Sequence, residues 1–141
     1  MISLAQAKTM IDTAFSEGKR QNMKPLAAIV MTASADVIAF ERQDDSEVLR
    51  FEMAYGKAVS ALTTGRNSRF MAEKQASGSH LVTLVDRKTN GRFMPFPGAI
   101  LIKSPEGAIL GVMAVSGDTS ENDELVATAG IMAAGLVASD M

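Results

Sequence analysis

The stretch from Pro97 to Glu124 constrains the fold of this chain most strongly, because it joins several local signals without interruption. Two apolar runs, Ile100–Lys103 and Ala108–Val115, have the composition of buried strands. Between them lies the sequence Ser104-Pro105-Glu106-Gly107, which is typical of a β-turn. Pro presets φ at the second position of the turn, and Gly can adopt the backbone conformation of the last position. The stretch therefore predicts two strands joined by a tight turn.

The second run leads into a glycine turn and then a helix. Gly111 predicts a bulge or the close approach of another backbone. Ser120 with Asp123 resembles a capping pair that opens a helix. A strand end, a glycine turn and a helix N-terminus bring backbone N–H groups together, which favours an anionic group. Gly98, Ser116 and Gly117 either supply backbone donors to a ligand or simply let the chain turn.

The other elements follow from hydrophobic periodicity and turn residues. We predict helices over Ser3–Gly18, Asp44–Leu62 and Ser120–Ala138, a short helical or irregular segment over Asn67–Gln75, strands over Pro25–Thr32, Val37–Arg42 and His80–Asp86, and an irregular arm over Arg92–Pro97. Ser3 with Gln6 forms a capping-box pair, and Asp44 with Glu47 resembles an N-cap pair. The order of elements predicts an α+β fold with an antiparallel sheet.

The last predicted helix carries unusually small residues on one side, namely Gly130, Ala134 and Gly135. Such a helix needs a close neighbour. That neighbour is either another element of the same chain or another subunit.

Composition limits the function classes. The 141 residues predict one domain, 1–141, and the net charge of −2 without a basic run argues against a nucleic-acid partner. The absence of cysteine excludes a disulfide scaffold, a thiolate zinc site and a cysteine nucleophile. The N-terminus lacks the pattern of a secretory signal, and no apolar run has the length of a membrane span. We therefore predict a cytoplasmic protein without a membrane partner.

The chain also resembles a known family over nearly its whole length. The segments that carry the resemblance are Arg42-Gln43-Asp44, Lys57-Ala58-Val59-Ser60-Ala61, Gly65-Arg66-Asn67-Ser68-Arg69, Pro97-Gly98-Ala99-Ile100-Leu101-Ile102, Gly107, Gly111-Val112-Met113-Ala114-Val115-Ser116-Gly117 and Asp123-Glu124. They resemble the GlcG/HbpS family, a haem-degrading-type domain that also occurs at the C-terminus of PduO-type corrinoid adenosyltransferases. Ala99 and Leu101 differ from the family's Gly and Pro, and the first helix has no histidine where some members have a haem ligand.

The resemblance implies a profilin-like or PAS-like antiparallel sheet of about five strands flanked by helices. It also implies a homo-oligomer that binds a small molecule, with haem or a related tetrapyrrole such as a corrinoid as the ligand class. The implied pocket lies between the Gly98 loop, the start of the last helix, and Arg42 and Lys57.

Five residues are candidates for the chemistry of a site. Arg42 and Lys57 match family segments, and each either counters a carboxylate, propionate or phosphate or forms a local ion pair. His80, the only histidine, is an axial haem ligand, a base working with Asp86 or Asp123, or a surface residue. Asp123 is either a helix-cap residue or a catalytic carboxylate. No multi-histidine metal site is possible.

Three functions are compatible with these residues. The leading hypothesis is a small-molecule-binding domain of the GlcG/HbpS type. The second is an enzyme acting on a small carboxylate-bearing metabolite, anchored by Arg42 or Lys57, with Asp123 or His80 as the acid–base group. The third is a structural or accessory oligomer without a ligand, which the small-sided last helix motivates.

Overall fold

The computed structural model describes residues 1–141, which form five helices and five strands. In chain order they are α1 (Leu4–Arg20), β1 (Ala27–Thr32), β2 (Val37–Arg42), α2 (Arg50–Thr64), α3 (Arg69–Ala76), α4 (Leu81–Lys88), β3 (Ala99–Lys103), β4 (Ile109–Ser116), α5 (Ser120–Ala133) and β5 (Val137–Ala138). The strands form one antiparallel sheet in the order β2-β1-β4-β3-β5. The predicted α+β fold is confirmed.

Helices cover both faces of this sheet, because the central strands are apolar on both sides. On one face α1 and α5 pack against Ala28, Val30, Ile100, Ile102, Met113 and Val115. On the other face α2 packs through Ala54, Ala58 and Ala61 against Ile29, Met31, Ala99, Leu101, Val112 and Ala114. None of the helices is both long and apolar enough to cross a membrane.

Local signals correctly predicted the first helix and the two strands joined by a tight turn, and the strands predicted over Pro25–Thr32 and Val37–Arg42 also form a hairpin. The Ser3 hydroxyl accepts from the Gln6 N–H at 3.0 Å, and the Gln6 side chain accepts from the Ser3 N–H at 2.9 Å, so the capping box is present. β1 pairs with β2 and β3 pairs with β4. In the turn before β4, the Gly107 N–H donates to the Ser104 carbonyl at 2.9 Å. The first helix nevertheless extends past Gly18 to Arg20.

Gly111 confirms the predicted close approach and lies beside a bulge. A Cβ at this position would lie 2.2 Å from the Met31 carbonyl oxygen on β1. The pairing of β3 with β4 also shifts by one residue between Ile102 and Lys103. Only glycine allows the two central strands to pair at this point.

The predicted strand over His80–Asp86 is wrong, because these residues belong to helix α4 and the turn before it. The prediction failed because a short run rich in β-branched residues fits the hydrophobic period of a strand as well as that of a helix. In the structure Leu81, Val82 and Val85 share one face of the helix and pack against a small cluster of Val59, Met71 and Phe93. This tertiary contact selects the helix.

The central helix begins later than predicted. It starts at Arg50 rather than at Asp44, and the residue before it, Leu49, has a left-handed backbone with φ of 65° and no side-chain cap. Asp45 has the same φ of 65°. Residues 44–49 therefore form turns, and the predicted N-cap pair of Asp44 with Glu47 is wrong.

The last helix also differs from its prediction at both ends. Thr119, not Ser120, is the N-cap, because its side chain accepts from the Asn122 N–H. The helix ends at Ala133 rather than Ala138, since Gly135 takes a φ of 79° and the chain turns back as β5. β5 pairs with β3 at the edge of the sheet. If the helix had continued instead, the backbone N–H and C=O groups of β3 would have stayed unpaired at this edge.

The close neighbour required by the small side of α5 is α1 of the same chain. A Cβ on Gly130 would lie 2.5 Å from the Met10 carbonyl oxygen. The glycine therefore lets the two helix backbones meet.

Candidate functional site

One end of the sheet gathers three of the residues that the sequence singled out. Ala27, at the start of β1, lies between Arg42 on β2 and Ser116 on β4. Gly98 precedes β3 at the same end, where its carbonyl accepts from the Val115 N–H at 3.0 Å. Antiparallel pairing thus brings together residues that are far apart in the sequence.

Lys57 and Asp123 form a buried ion pair at this end. They are 4% and 2% exposed. The Lys57 ammonium donates to Asp123 Oδ2 at 3.1 Å and to the Val115 carbonyl at 2.9 Å. Because α2 and α5 lie on opposite faces of the sheet, the pair connects the two layers.

Gly98 makes room for the Lys57 side chain, and Gly117 allows the neighbouring backbone of Pro25 to approach closely. A Cβ on Gly98 would lie 2.8 Å from Lys57 Nζ and 2.7 Å from the Val115 carbonyl oxygen. A Cβ on Gly117 would lie 2.4 Å from the Pro25 carbonyl oxygen. Both have left-handed φ values, 132° for Gly98 and 146° for Gly117, that disfavour a side chain.

The glycine turn before α5 favours an anionic group, and the Asp123 carboxylate of the chain itself occupies this place. The second carboxylate oxygen of Asp123 accepts from the Asp118 N–H at 3.0 Å. Burial raises the pKa of Asp123 to about 6, although the nearby Lys57 charge acts in the opposite direction. Burial also lowers the pKa of Lys57, against the attraction of Asp123. Removal from water therefore disfavours both charged forms.

Sequence reasoning missed Arg50, which lies beside this pair. Its Nη1 donates to the Ser116 hydroxyl at 3.1 Å, and its Nη2 lies 3.2 Å from the largely exposed carboxylate of Glu47. The Nε–H is buried and has no hydrogen-bond partner. The only local signal was the three-residue spacing of Glu47 and Arg50, which marks a possible ion pair but not a site.

Arg50 also lines a cavity of about 250 Å³, which we call the Arg50 cavity. Its other lining residues are Lys24, Glu47, Gly117, Asp118 and Thr119. The cavity therefore lies where α5 begins.

Arg42 lines a larger cavity of about 470 Å³, which we call the Arg42 cavity. Its other lining residues are Phe15, Lys19, Met23, Pro25, Glu41, Gln43 and Asp44. The Arg42 guanidinium donates to the Ser46 carbonyl and forms no ion pair. Lys57 does not line this cavity, so the two cations of the predicted pocket lie in different surroundings.

A third cavity, of about 380 Å³, lies near the C-terminus. Arg69 lines it and is bound there by the Glu124 carboxylate at 2.6 Å. Since a residue of the protein already pairs with this arginine, the cavity is a weaker candidate than the Arg42 cavity.

His80 lies away from all three cavities. It is exposed, it precedes α4, and it makes no capping hydrogen bond. No group of three or more His, Asp or Glu side chains is arranged to hold a metal ion.

Comparisons with known structures identify the fold. Protein ORFY of Klebsiella pneumoniae superposes with a TM-score of 0.85 at 22% identity, covering 95% of this chain and 90% of that one. PduOC in complex with haem gives 0.83 at 20% identity, covering 94% of each chain. HbpS gives 0.79 at 19% identity, covering 93% of this chain and 88% of that one.

Sequence comparison identifies the family. No curated protein matches the chain significantly. The family model described as "Haem degrading protein HbpS-like" matches residues 2–132. Because this match covers most of the chain, the protein belongs to the HbpS-like haem degrading family.

Proposed function

We propose that this protein is a small-molecule-binding domain whose ligand is haem or a related tetrapyrrole, held in the Arg42 cavity. Family membership supports a haem-related function. The similarity in fold to PduOC, whose structure contains haem, supports the same ligand class.

The observation that carries the proposal is the lining of the Arg42 cavity. Phe15, Met23 and Pro25 contribute apolar surface, and Lys19 and Arg42 contribute positive charge. A haem has two propionates, with which Lys19 and Arg42 would pair, although the carboxylates of Glu41 and Asp44 line the same cavity. Bound haem would supply iron-based redox chemistry at this surface.

The two predicted cationic anchors differ in availability. The Lys57 ammonium is buried and already paired with Asp123. The Arg42 side chain is exposed and donates only to a neutral carbonyl group, so its charge is free for a propionate. We therefore assign the anchoring role to Arg42, with Lys19 as the second cation.

The test is a haemin titration followed by visible absorption. We expect Arg42→Ala to weaken haemin binding roughly 10- to 100-fold, because a charged hydrogen bond contributes roughly 1.5–3 kcal/mol. Arg66→Ala is the matched control, since Arg66 is also an exposed arginine but lines the C-terminal cavity. Equal affinities of the two variants would contradict the proposed site. A wild-type protein without a saturable Soret band would contradict the function.

A second candidate function is that of an enzyme or receptor for a small carboxylate-bearing metabolite. The buried, unpartnered Nε–H of Arg50 favours it, because such a donor gains from an anionic acceptor. Asp123 touches Lys57 and Asp118 rather than the cavity, so we assign it a positioning role.

Thermal unfolding with added acetate, lactate or succinate tests this candidate. We expect the melting temperature of the wild type to rise with carboxylate concentration, and Arg50→Ala to lose this rise while Arg66→Ala keeps it. A rise that persists in Arg50→Ala would exclude the Arg50 cavity. Turnover of a stabilising carboxylate, lost in Asp123→Asn, would identify an enzyme.

A further inference from the structure

The Arg42 cavity brings together four charged side chains, two of each sign. The cations are Lys19 and Arg42, and the anions are Glu41 and Asp44. Their formal charges cancel, so the cavity has no net charge that would favour an anion over a cation. What distinguishes it is that both signs are present within one open groove.

The chain does not pair these four charges with one another or with other residues. Every ion pair of the molecule lies elsewhere. The Arg42 guanidinium donates to the Ser46 carbonyl, which is a neutral acceptor. A ligand can therefore pair with each of the four groups without breaking an ion pair of the protein.

The other two cavities differ in this respect. In the Arg50 cavity the Glu47 carboxylate lies 3.2 Å from the Arg50 guanidinium. In the C-terminal cavity the Glu124 carboxylate lies 2.6 Å from Arg69. Each of these cavities thus contains a cation that the chain itself already pairs, whereas the Arg42 cavity contains none.

The strand geometry explains why Glu41 and Arg42 do not pair with each other. Successive side chains of a strand point to opposite faces of the sheet. Glu41 lies opposite Ala28, which belongs to the core beneath α1, so Glu41 is on the α1 face. The two opposite charges are neighbours in the sequence but are directed apart.

The backbone at this end of β2 is held in place. The Gln43 N–H donates to the Leu26 carbonyl at 2.8 Å, and the Leu26 N–H donates to Gln43 Oε1 at 2.7 Å. Gln43 lies between Arg42 and Asp44 in the chain, so these two bonds fix the backbone of both charged neighbours. Such preorganisation lowers the entropy cost of binding.

We infer that the Arg42 cavity binds a small zwitterion with both an ammonium and a carboxylate group, the chemistry of a free amino acid. Arg42 and Lys19 bind the carboxylate, and Glu41 and Asp44 bind the ammonium. A ligand with charge of one sign meets two attractive and two repulsive groups, so the groove discriminates against it. The inference does not rest on haem binding.

The experiment is an NMR titration of the wild type at neutral pH and low salt with three matched compounds. They are leucine, 4-methylpentanoate, which lacks the ammonium group, and 3-methylbutylamine, which lacks the carboxylate. Phe15 and Pro25 add some apolar surface to the groove, which suits a leucine side chain. We expect saturable shifts of the Lys19, Arg42 and Asp44 amides with leucine, and binding of each analogue about tenfold weaker or more, because each lacks one set of charged hydrogen bonds.

Two variants assign the ends of the ligand. Glu41→Gln reduces the preference for leucine over 4-methylpentanoate, and Arg42→Ala reduces the preference for leucine over 3-methylbutylamine. Glu106→Gln and Arg66→Ala are the matched controls, since both residues are exposed and neither lines the Arg42 cavity. Both controls keep the wild-type preferences.

Three results would overturn the inference. They are a wild type without saturable shifts on addition of leucine, equal affinities of the wild type for leucine and 4-methylpentanoate, and wild-type preferences in both Glu41→Gln and Arg42→Ala. Because no probe contains haem, haemin binding and zwitterion binding are tested separately, and either can fail alone.

Discussion

At the scale of single residues, the main feature is a buried charge pair between positions 66 residues apart. The sequence singled out Lys57, Gly98 and Asp123 as separate candidates, each with a structural alternative. In the structure Lys57 contacts both of the others, because Gly98 leaves room for its side chain and Asp123 accepts its hydrogen bond. Their contact gives all three a structural role.

The raised pKa of Asp123 predicts a defined pH dependence of stability. Its pKa is 3.8 in the unfolded chain and about 6 in the folded one, so between these values the folded protein binds the proton more strongly. The contribution of Asp123 to the free energy of unfolding therefore falls as pH rises through this window. The full change is on the order of 3 kcal/mol.

Chemical denaturation of wild type and Asp123→Asn between pH 4 and pH 7 measures this change. The variant has no carboxyl group to titrate, so we expect its stability deficit relative to wild type to shrink as pH rises. Asp86→Asn, an exposed carboxylate on α4, controls for the substitution itself. A deficit that grows with pH would mean that the Lys57 charge outweighs burial and lowers the pKa.

At the scale of elements, close helix contact depends on one glycine. Because the Cβ of any larger residue at Gly130 would meet the backbone of α1 at Met10, we expect Gly130→Val to destabilise the fold by roughly 1–3 kcal/mol or more. Thermal or urea unfolding measures the loss. Met132→Val, at an exposed position of the same helix, is the control. If Gly130→Val matched that control, the packing of α5 on α1 would be wrong.

Local signals predicted elements well where the signal was complete. The Ser3–Gln6 capping box and the turn at Ser104–Gly107 contain all their partners within four residues, so the sequence alone was sufficient. The run from His80 to Asp86 contains no such signal. Its helical state depends on contacts of Leu81, Val82 and Val85 with residues of other elements.

At the scale of the whole molecule, the layered fold decides which candidate groups meet. Antiparallel pairing aligns Arg42 and Ser116 at one end of the sheet, and α1 ends close to Arg42 there. The small side of α5, which suggested a subunit interface, packs on α1 of the same chain. Homo-oligomerisation stays a prediction from the family resemblance.

The sequence by itself determined the hairpin from Ile100 to Val115, the glycine turn into the last helix, and the family. These depend on turn chemistry, capping and periodicity, which act between residues close in the chain. Only the tertiary structure decided that Lys57 pairs with Asp123, that Arg50 has an unpaired donor, and that Met23 lines the same cavity as Arg42. Burial and charge pairing depend on distances in space, and those distances arise only when the helices pack on the sheet.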